Sequence, residues 1–276
     1  MRLGVSLPSV GSNPDPERLA MVAREAEVQG FNSVWVPDHV LRVFGPILDP
    51  LTVLSFAAGA TQRIVLGTNV LIVPYRHPLI LANEAASLDV LARGRFVLGV
   101  GVGWNEEEFS ALGISPSERG RRTDEALEAM RCLWAGGPVT YEGRYYSFAD
   151  VTLGTSPETK GGPAILVGGY SDAALQRALR FGEKWGGFMD SPERIREVRG
   201  RLNRLAEGAG RNLRKLEILT TFRLDAPTLT EDVAERVSRE LRQLKEAGVD
   251  LCVLTISPMQ PETLQWVAEE VAPQIG

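Results

Sequence analysis

Histidine is almost absent from this chain of 276 residues, with only His39 and His77 present. Imidazole ligation of a metal is therefore hardly available. No HExxH, clustered CxxC or carboxylate set at metal spacing makes up for it, so no metal is expected. Cysteine is as scarce. Cys132 and Cys252 sit in apolar periodic segments and read as small buried residues, for which a reducing cytoplasm is the natural setting. The net charge is −5 with no basic cluster to neutralise phosphates, so nucleic acid is not an expected partner. No apolar run is long enough to span a bilayer, and the opening residues lead into a strand without a signal-peptide pattern. A membrane is not an expected partner either. The G-x-S-x-G elbow of Ser-nucleophile hydrolases is also missing.

What is present is an ordinary globular composition, 44% hydrophobic and 24% charged, sufficient to bury a core. Leu3 to Pro8 reads as a short strand. Asn13 or Asp15 can cap the helix that follows, with Leu19, Val22, Ala23 and Ala26 as its apolar stripe and Gly30 as its stop. Ser33 to Val36 is a second strand ended by Pro37, and Asp49-Pro50 opens the next helix. Arg63 to Val73 reads as one continuous third strand and Arg95 to Gly103 as a fourth. Ser115-Pro116 opens a long helix to about Ala135. From Gly136 to Gly162 the pattern breaks into a hairpin and a loop. Strands five to eight follow at Ala164, Lys184, Lys215 and Val249, each with its helix.

Eight strands alternating with eight helices require a parallel sheet with helical crossovers. At this length the expected fold is α/β, a single (β/α)8 TIM barrel over residues 1–276 with an insertion at about 136–162 before strand five. In such a barrel the chemistry collects at the carboxyl ends of the strands. Lysine occurs only at 160, 184, 215 and 245, and Lys184 and Lys215 open their strands, at the opposite rim. That argues against a Schiff-base aldolase.

The strand ends present Asp38-His39, Asn69-Val70, Gly101-Val102-Gly103-Trp104 and Gly168-Gly169-Tyr170-Ser171. Asp38 and His39 deliver an acid and an imidazole side by side; the plainer alternative is a turn with Asp38 as a cap. Gly99, Gly101 and Gly103 remove side chains where something flat or bulky could lie against the backbone, or where the chain turns or packs closely on itself. Gly168-Gly169 before a helix exposes backbone N–H groups to a phosphate, with Ser171 as cap or anion ligand. Trp104 and Tyr170 stand either in the site or as rim aromatics. His77 reads as a stabiliser of its loop.

Together these segments resemble the bacterial luciferase-like monooxygenase superfamily, in its coenzyme F420-dependent oxidoreductase branch. The resemblance rests on Gly30 through His39, on Arg63 through Val70, on Pro74-Tyr75-Arg76-His77-Pro78, on Leu88 through Arg95, on Leu98 through Trp104, on Glu118-Arg119-Gly120 and on Val167-Gly168-Gly169. It implies a homodimeric barrel that binds coenzyme F420, or alternatively FMN, and acts on a small organic molecule. By resemblance, Asp38 and His39 lie beside the ring, with His39 as the catalytic proton donor or acceptor. Asn69-Val70 matches a non-prolyl cis peptide that backs the ring, and Gly168, Gly169 and Ser171 match the phosphate-holding turn. Gly101, Gly103, Trp104 and Tyr170 complete the expected cofactor surround. Two positions depart from the pattern. Trp104 stands where some deazaflavin dehydrogenases have glutamate, which argues against a sugar-phosphate dehydrogenase. Gly182-Glu183-Lys184-Trp185 stands where many relatives read Gly-Asp-Gly-Trp. The expected activity is hydride transfer between F420 and substrate. The alternatives are an FMN-dependent monooxygenase and, from another class, a non-catalytic flavin-binding barrel.

Overall fold

Parallel strands need crossovers, and the chain supplies a helix after nearly every one. The computed structural model describes residues 1–11, 15–43, 45–208, 216–226 and 228–276; Asn13 and Lys215 lie outside them. The first half runs β1 (Arg2–Ser6), α1 (Pro16–Val28), β2 (Ser33–Val36), α2 (Pro50–Ala60), β3 (Val65–Thr68), β4 (Leu71–Ile72), α3 (Pro78–Leu91), β5 (Phe96–Gly101), α4 (Glu106–Ala111) and α5 (Arg119–Trp134). A hairpin of β6 (Val139–Glu142) and β7 (Ser147–Val151) follows. The second half runs β8 (Ala164–Gly168), α6 (Asp172–Phe181), β9 (Lys184–Gly186), α7 (Pro192–Gly208), β10 (Glu217–Asp225), α8 (Glu231–Ala247), β11 (Leu251–Ser257) and α9 (Pro261–Trp266).

The sheet order is β3-β2-β1-β11-β10-β9-β8-β5, and β5 pairs back onto β3 through Leu66↔Phe96 and Gly67↔Val97. That closes a parallel barrel. Trp35, Val97, Leu166, Leu219, Leu251 and Val253 form a separate buried cluster drawn from β2, β5, β8, β10 and β11, which is the filling of the barrel itself. A larger apolar layer lies between the strands and the surrounding helices.

Local chemistry explains the boundaries. Asp15 caps α1, accepting from the Glu17 N–H, and Asp49 caps α2 through the Thr52 N–H at 2.9 Å. Gly30 ends the first helix at φ +81°, a conformation cheap only for glycine. The hairpin is held on α5 by Glu125, whose carboxylate accepts from the N–H groups of Arg144, Tyr145 and Tyr146. His77 does stabilise its loop, accepting from the Leu79 N–H to cap α3.

Three expectations need correction. The third strand is not continuous: the Asn69–Val70 peptide is cis and divides β3 from β4, which resumes pairing on β5 through Leu71↔Val100. The cis bond itself is where the resemblance placed it. Pro116 opens a separate 3-10 turn, Pro116–Glu118, rather than the first turn of α5. Cys132 is exposed while Cys252 is buried, because α5 turns Met130, Leu133 and Trp134 inward and leaves 132 on the outer face. Lys184 starts β9 at the rim opposite the strand ends and pairs with Glu217, which also binds Arg2 at 2.9 Å. No helix among the described residues is long and apolar enough to cross a membrane.

Candidate active site

All barrel strands point the same way, so their carboxyl ends surround one mouth. There a cavity of about 750 Å³ is lined by Leu7, Trp35, Asn69, Thr221, Arg223 and Met259 among others. Of the site residues expected from the sequence, Asn69 lines this cavity; Asp38, His39, Val70, Gly101, Gly103, Trp104 and Gly168 to Ser171, at the ends of β2, β3, β5 and β8, are not among its lining residues. No group of three His, Cys, Asp or Glu side chains among the described residues is placed to hold a metal ion.

His39 follows β2 and is held by a residue that the sequence did not single out. Its Nδ1 lies 2.8 Å from Oε2 of Glu108 on α4. The Glu108 carboxylate also accepts from the N–H groups of Val40 at 2.7 Å and Leu41 at 3.0 Å, and from the Tyr75 hydroxyl at 3.0 Å. Burial pushes the Glu108 carboxyl up. The hydrogen bonds from Leu41, His39, Val40 and Tyr75 outweigh it and hold the group below its ordinary value. Burial and the neighbouring Glu108 push the Tyr75 hydroxyl up, so it stays a donor. An ionised Glu108 accepts from Nδ1–H, which leaves the basic lone pair of a neutral His39 on Nε2. Trp104 packs edge-to-face on the His39 ring, with centroids 5.6 Å apart. His39, Trp104, Tyr75 and Glu108 thus form one cluster.

Asp38 points elsewhere. Its side chain is 1% exposed and receives Arg76 through both oxygens at 2.6 and 3.2 Å, plus the Ile72 N–H at 2.8 Å. Arg76 extends on to Asp49, the cap of α2. The acid beside His39 in sequence therefore braces the end of β2 against β4, and Glu108 is the carboxylate on the imidazole.

The glycines of β5 and β8 make room for the protein's own bulge. A Cβ on Gly101 would sit 2.5 Å from Val70 Cγ2, and one on Gly168 would sit 3.0 Å from Val70 Cγ1. A Cβ on Gly99 would meet the Thr68 carbonyl oxygen at 1.8 Å. Val70 is thus the bulky group against Gly101 and Gly168, brought there by the bend between β3 and β4. Gly103 has φ +76° and turns the chain from β5 toward α4.

After β8, Gly169 takes φ +119°, and its carbonyl accepts from Trp185 Nε1 at 2.8 Å. Ser171 caps α6, its Oγ accepting from the Ala174 N–H. The remaining first-turn N–H groups of α6 are the ones a phosphate would meet. Asp172 in that turn is neutralised by Arg201 at 2.6 Å. Tyr170 lies edge-to-face on Trp185 and donates to Asp190 at 2.8 Å, which braces the turn.

Residues 1–266 match the profile of a family described as luciferase-like monooxygenase. The 4-hydroxyprotoasukamycin monooxygenase of Streptomyces nodosus subsp. asukaensis is 35% identical over 158 residues, 57% of this chain and 42% of that protein. An F420-dependent glucose-6-phosphate dehydrogenase of Microbacterium testaceum is 38% identical over 164 residues, 57% of this chain and 48% of that protein. The match thus spans about half the length of these two relatives. In fold, the chain is similar to an F420-dependent secondary alcohol dehydrogenase in complex with an F420-acetone adduct, at a TM-score of 0.86, 21% identity and 100% coverage of both chains. With the profile match extending from Met1 to Trp266 across every strand of the barrel, the chain belongs to the luciferase-like monooxygenase family.

Proposed function

We propose that this protein is an oxidoreductase that binds coenzyme F420 at the barrel mouth and moves a hydride between it and a small organic substrate. The observation that carries the reading is the His39–Glu108 pair at the end of β2. It is a built proton site at the same end of the barrel as the Val70 bulge and the α6 turn. The residues fit the group: Gly169 and the N-terminus of α6 make a phosphate cradle, and Val70 offers a smooth apolar backing.

When bound, the deazaflavin supplies the hydride chemistry. The chain's own part is to hold the ring and manage one proton. Glu108 fixes the His39 ring by its Nδ1, so that Nε2 gives or takes the proton that accompanies hydride transfer to or from a carbonyl or alcohol. Ser171 and the Gly168–Gly169 backbone hold the phosphate. Apolar lining residues such as Leu7 and Met259 exclude water and strengthen the electrostatics within. The family's monooxygenase relative favours a second reading, FMN-dependent oxygenation at the same mouth. The working unit is taken to be a homodimer, which sedimentation velocity checks.

Titrating the purified apoprotein with F420 and separately with FMN separates these readings. Tight F420 binding with weak FMN binding supports hydride transfer. The reverse preference moves the assignment to the monooxygenase, and binding of neither removes both.

A further inference from the structure

Side chains alternate along a strand, so every second residue of β1, β10 and β11 faces the barrel interior. On β10 these are Leu219, Thr221 and Arg223; on β11 they are Leu251, Val253 and Thr255. Register pairs them as Leu219↔Leu251, Thr221↔Val253 and Arg223↔Thr255. On β1, Gly4 pairs with Val253, which sets Ser6 beside Thr255, and their hydroxyls lie 3.3 Å apart. The interior therefore changes from apolar to polar toward the mouth. Its top layer on three adjacent strands is Ser6, Thr255 and Arg223, all lining the cavity.

A second guanidinium joins this arc. Arg18 on α1 also lines the cavity, and its terminal nitrogen donates to the Met259 carbonyl at 3.0 Å. Among the described residues no carboxylate stands within ion-pair distance of Arg18, whereas Arg76 and Arg177 are matched by Asp38 and Asp124. Arg223, its side chain 63% exposed at the open rim, gives its Nε to Asp225 at 2.8 Å; the terminal nitrogens have no acceptor among the described residues. One acid, Asp15, lines the same cavity, and its Oδ1 is occupied by the Glu17 N–H. The rest of the wall is mostly apolar, with Phe188, Met189, Ile256 and Met259 beside the uncharged polar Asn69, Thr221 and Ser257.

We propose that Arg18 and Arg223, with the Ser6 and Thr255 hydroxyls, receive the carboxylate of the substrate, and that the substrate is an organic acid with an apolar body. This rests on the oxidoreductase reading of the same mouth and names its substrate class. Guanidinium is the group of choice for planar, two-pronged recognition of a carboxylate, and a half-apolar cavity with a few convergent polar groups sets orientation. The cofactor's own anionic groups are the other source of the same chemistry.

The test is calorimetric titration with octanoate and with octanamide, its neutral counterpart, on the wild-type protein and on Arg18→Gln, Arg223→Gln and the double variant. Octanoate is expected to bind about tenfold more tightly than octanamide, with the preference falling in each single variant and vanishing in the double one. Equal binding of the two probes, or a preference that survives the double substitution, overturns the proposal. F420 and FMN affinities are measured on the same variants. Unchanged cofactor affinity supports the substrate assignment, and a loss of tenfold or more assigns the arginines to the cofactor and overturns it. The titration needs no cofactor. A wild-type protein that prefers octanoate yet binds neither F420 nor FMN supports the anion site while removing the oxidoreductase reading.

Discussion

Glu108 Oε2 and His39 Nδ1 are 2.8 Å apart although 69 residues separate them in the chain. Removing the charge of Glu108 while keeping its shape isolates what the pair does. Glu108→Gln can present its amide to Nδ1 and favour the wrong tautomer. At least about a tenfold fall in kcat is expected, with a displaced pH–rate profile and little change in cofactor affinity. A profile that keeps its wild-type shape argues that Glu108 serves only to hold the Val40–Leu41 turn.

His39→Ala removes the proposed proton carrier itself. Turnover should drop by about a hundredfold or more, while F420 or FMN titration reports near-normal binding, since the turn after β8 that is proposed to hold the phosphate is untouched. Undiminished turnover would falsify the catalytic role.

Gly101→Ala and Gly99→Ala probe the two ways in which β5 accommodates its neighbour. The added methyl of the first meets Val70 Cγ2 at 2.5 Å, an overpacking expected to cost about 1–3 kcal/mol. Val70→Ala should recover most of it, a coupling that a double-mutant cycle in urea measures. The methyl of the second meets a main-chain oxygen, that of Thr68, at 1.8 Å. No side-chain change can relieve it, so this variant should be the less stable and should resist rescue.

Arg76→Ala leaves Asp38, with its side chain 1% exposed, as an uncompensated buried charge. A loss of about 3–5 kcal/mol in unfolding free energy is expected. Adding Asp38→Asn should restore part of it.

Glu27 provides a pH test away from the mouth. Burial pushes its carboxyl up, but the N–H groups of Arg63, Ile64 and Gln62 more than offset this and hold it below 4.5. A folded-state value below the unfolded one means stabilisation that is complete above about pH 4.5 and lost as the pH falls through the folded-state value. The urea midpoints of wild type and Glu27→Gln should therefore differ most at neutral pH and converge as the pH falls through the folded-state value.

The barrel was legible because its signals are local. Asp49-Pro50 caps α2 as the sequence indicates, and the alternation of short apolar runs with helical stripes fixes the topology. The candidate site was legible only in part. Asp38 and His39 are neighbours in sequence, yet the geometry of the turn sends the first to Arg76 and the second to Glu108. Glu108 sits in Glu106-Glu107-Glu108, an acidic first turn that by itself suggests only favourable charge at a helix N-terminus. Its signal was position: it directly precedes Phe109, and both are fully buried. The glycines of β5 were legible as a feature but not in their partner, because Val70 reaches them only through the bend at Asn69–Val70. Cys132 shows the limit of apolar periodicity where a helix face turns outward.

Trp35 borders both the mouth cavity and a second, smaller cavity of about 180 Å³ lined by Arg2, Arg95 and Lys184 at the far end of the barrel. Its indole, 1% exposed and tied to Ser33 Oγ at 2.8 Å, is thus a stopper in a tube. Shortening it to alanine would take away the widest part of the partition between the two chambers, leaving Val97, Leu166, Leu219, Leu251 and Val253 to keep rear water out of the mouth.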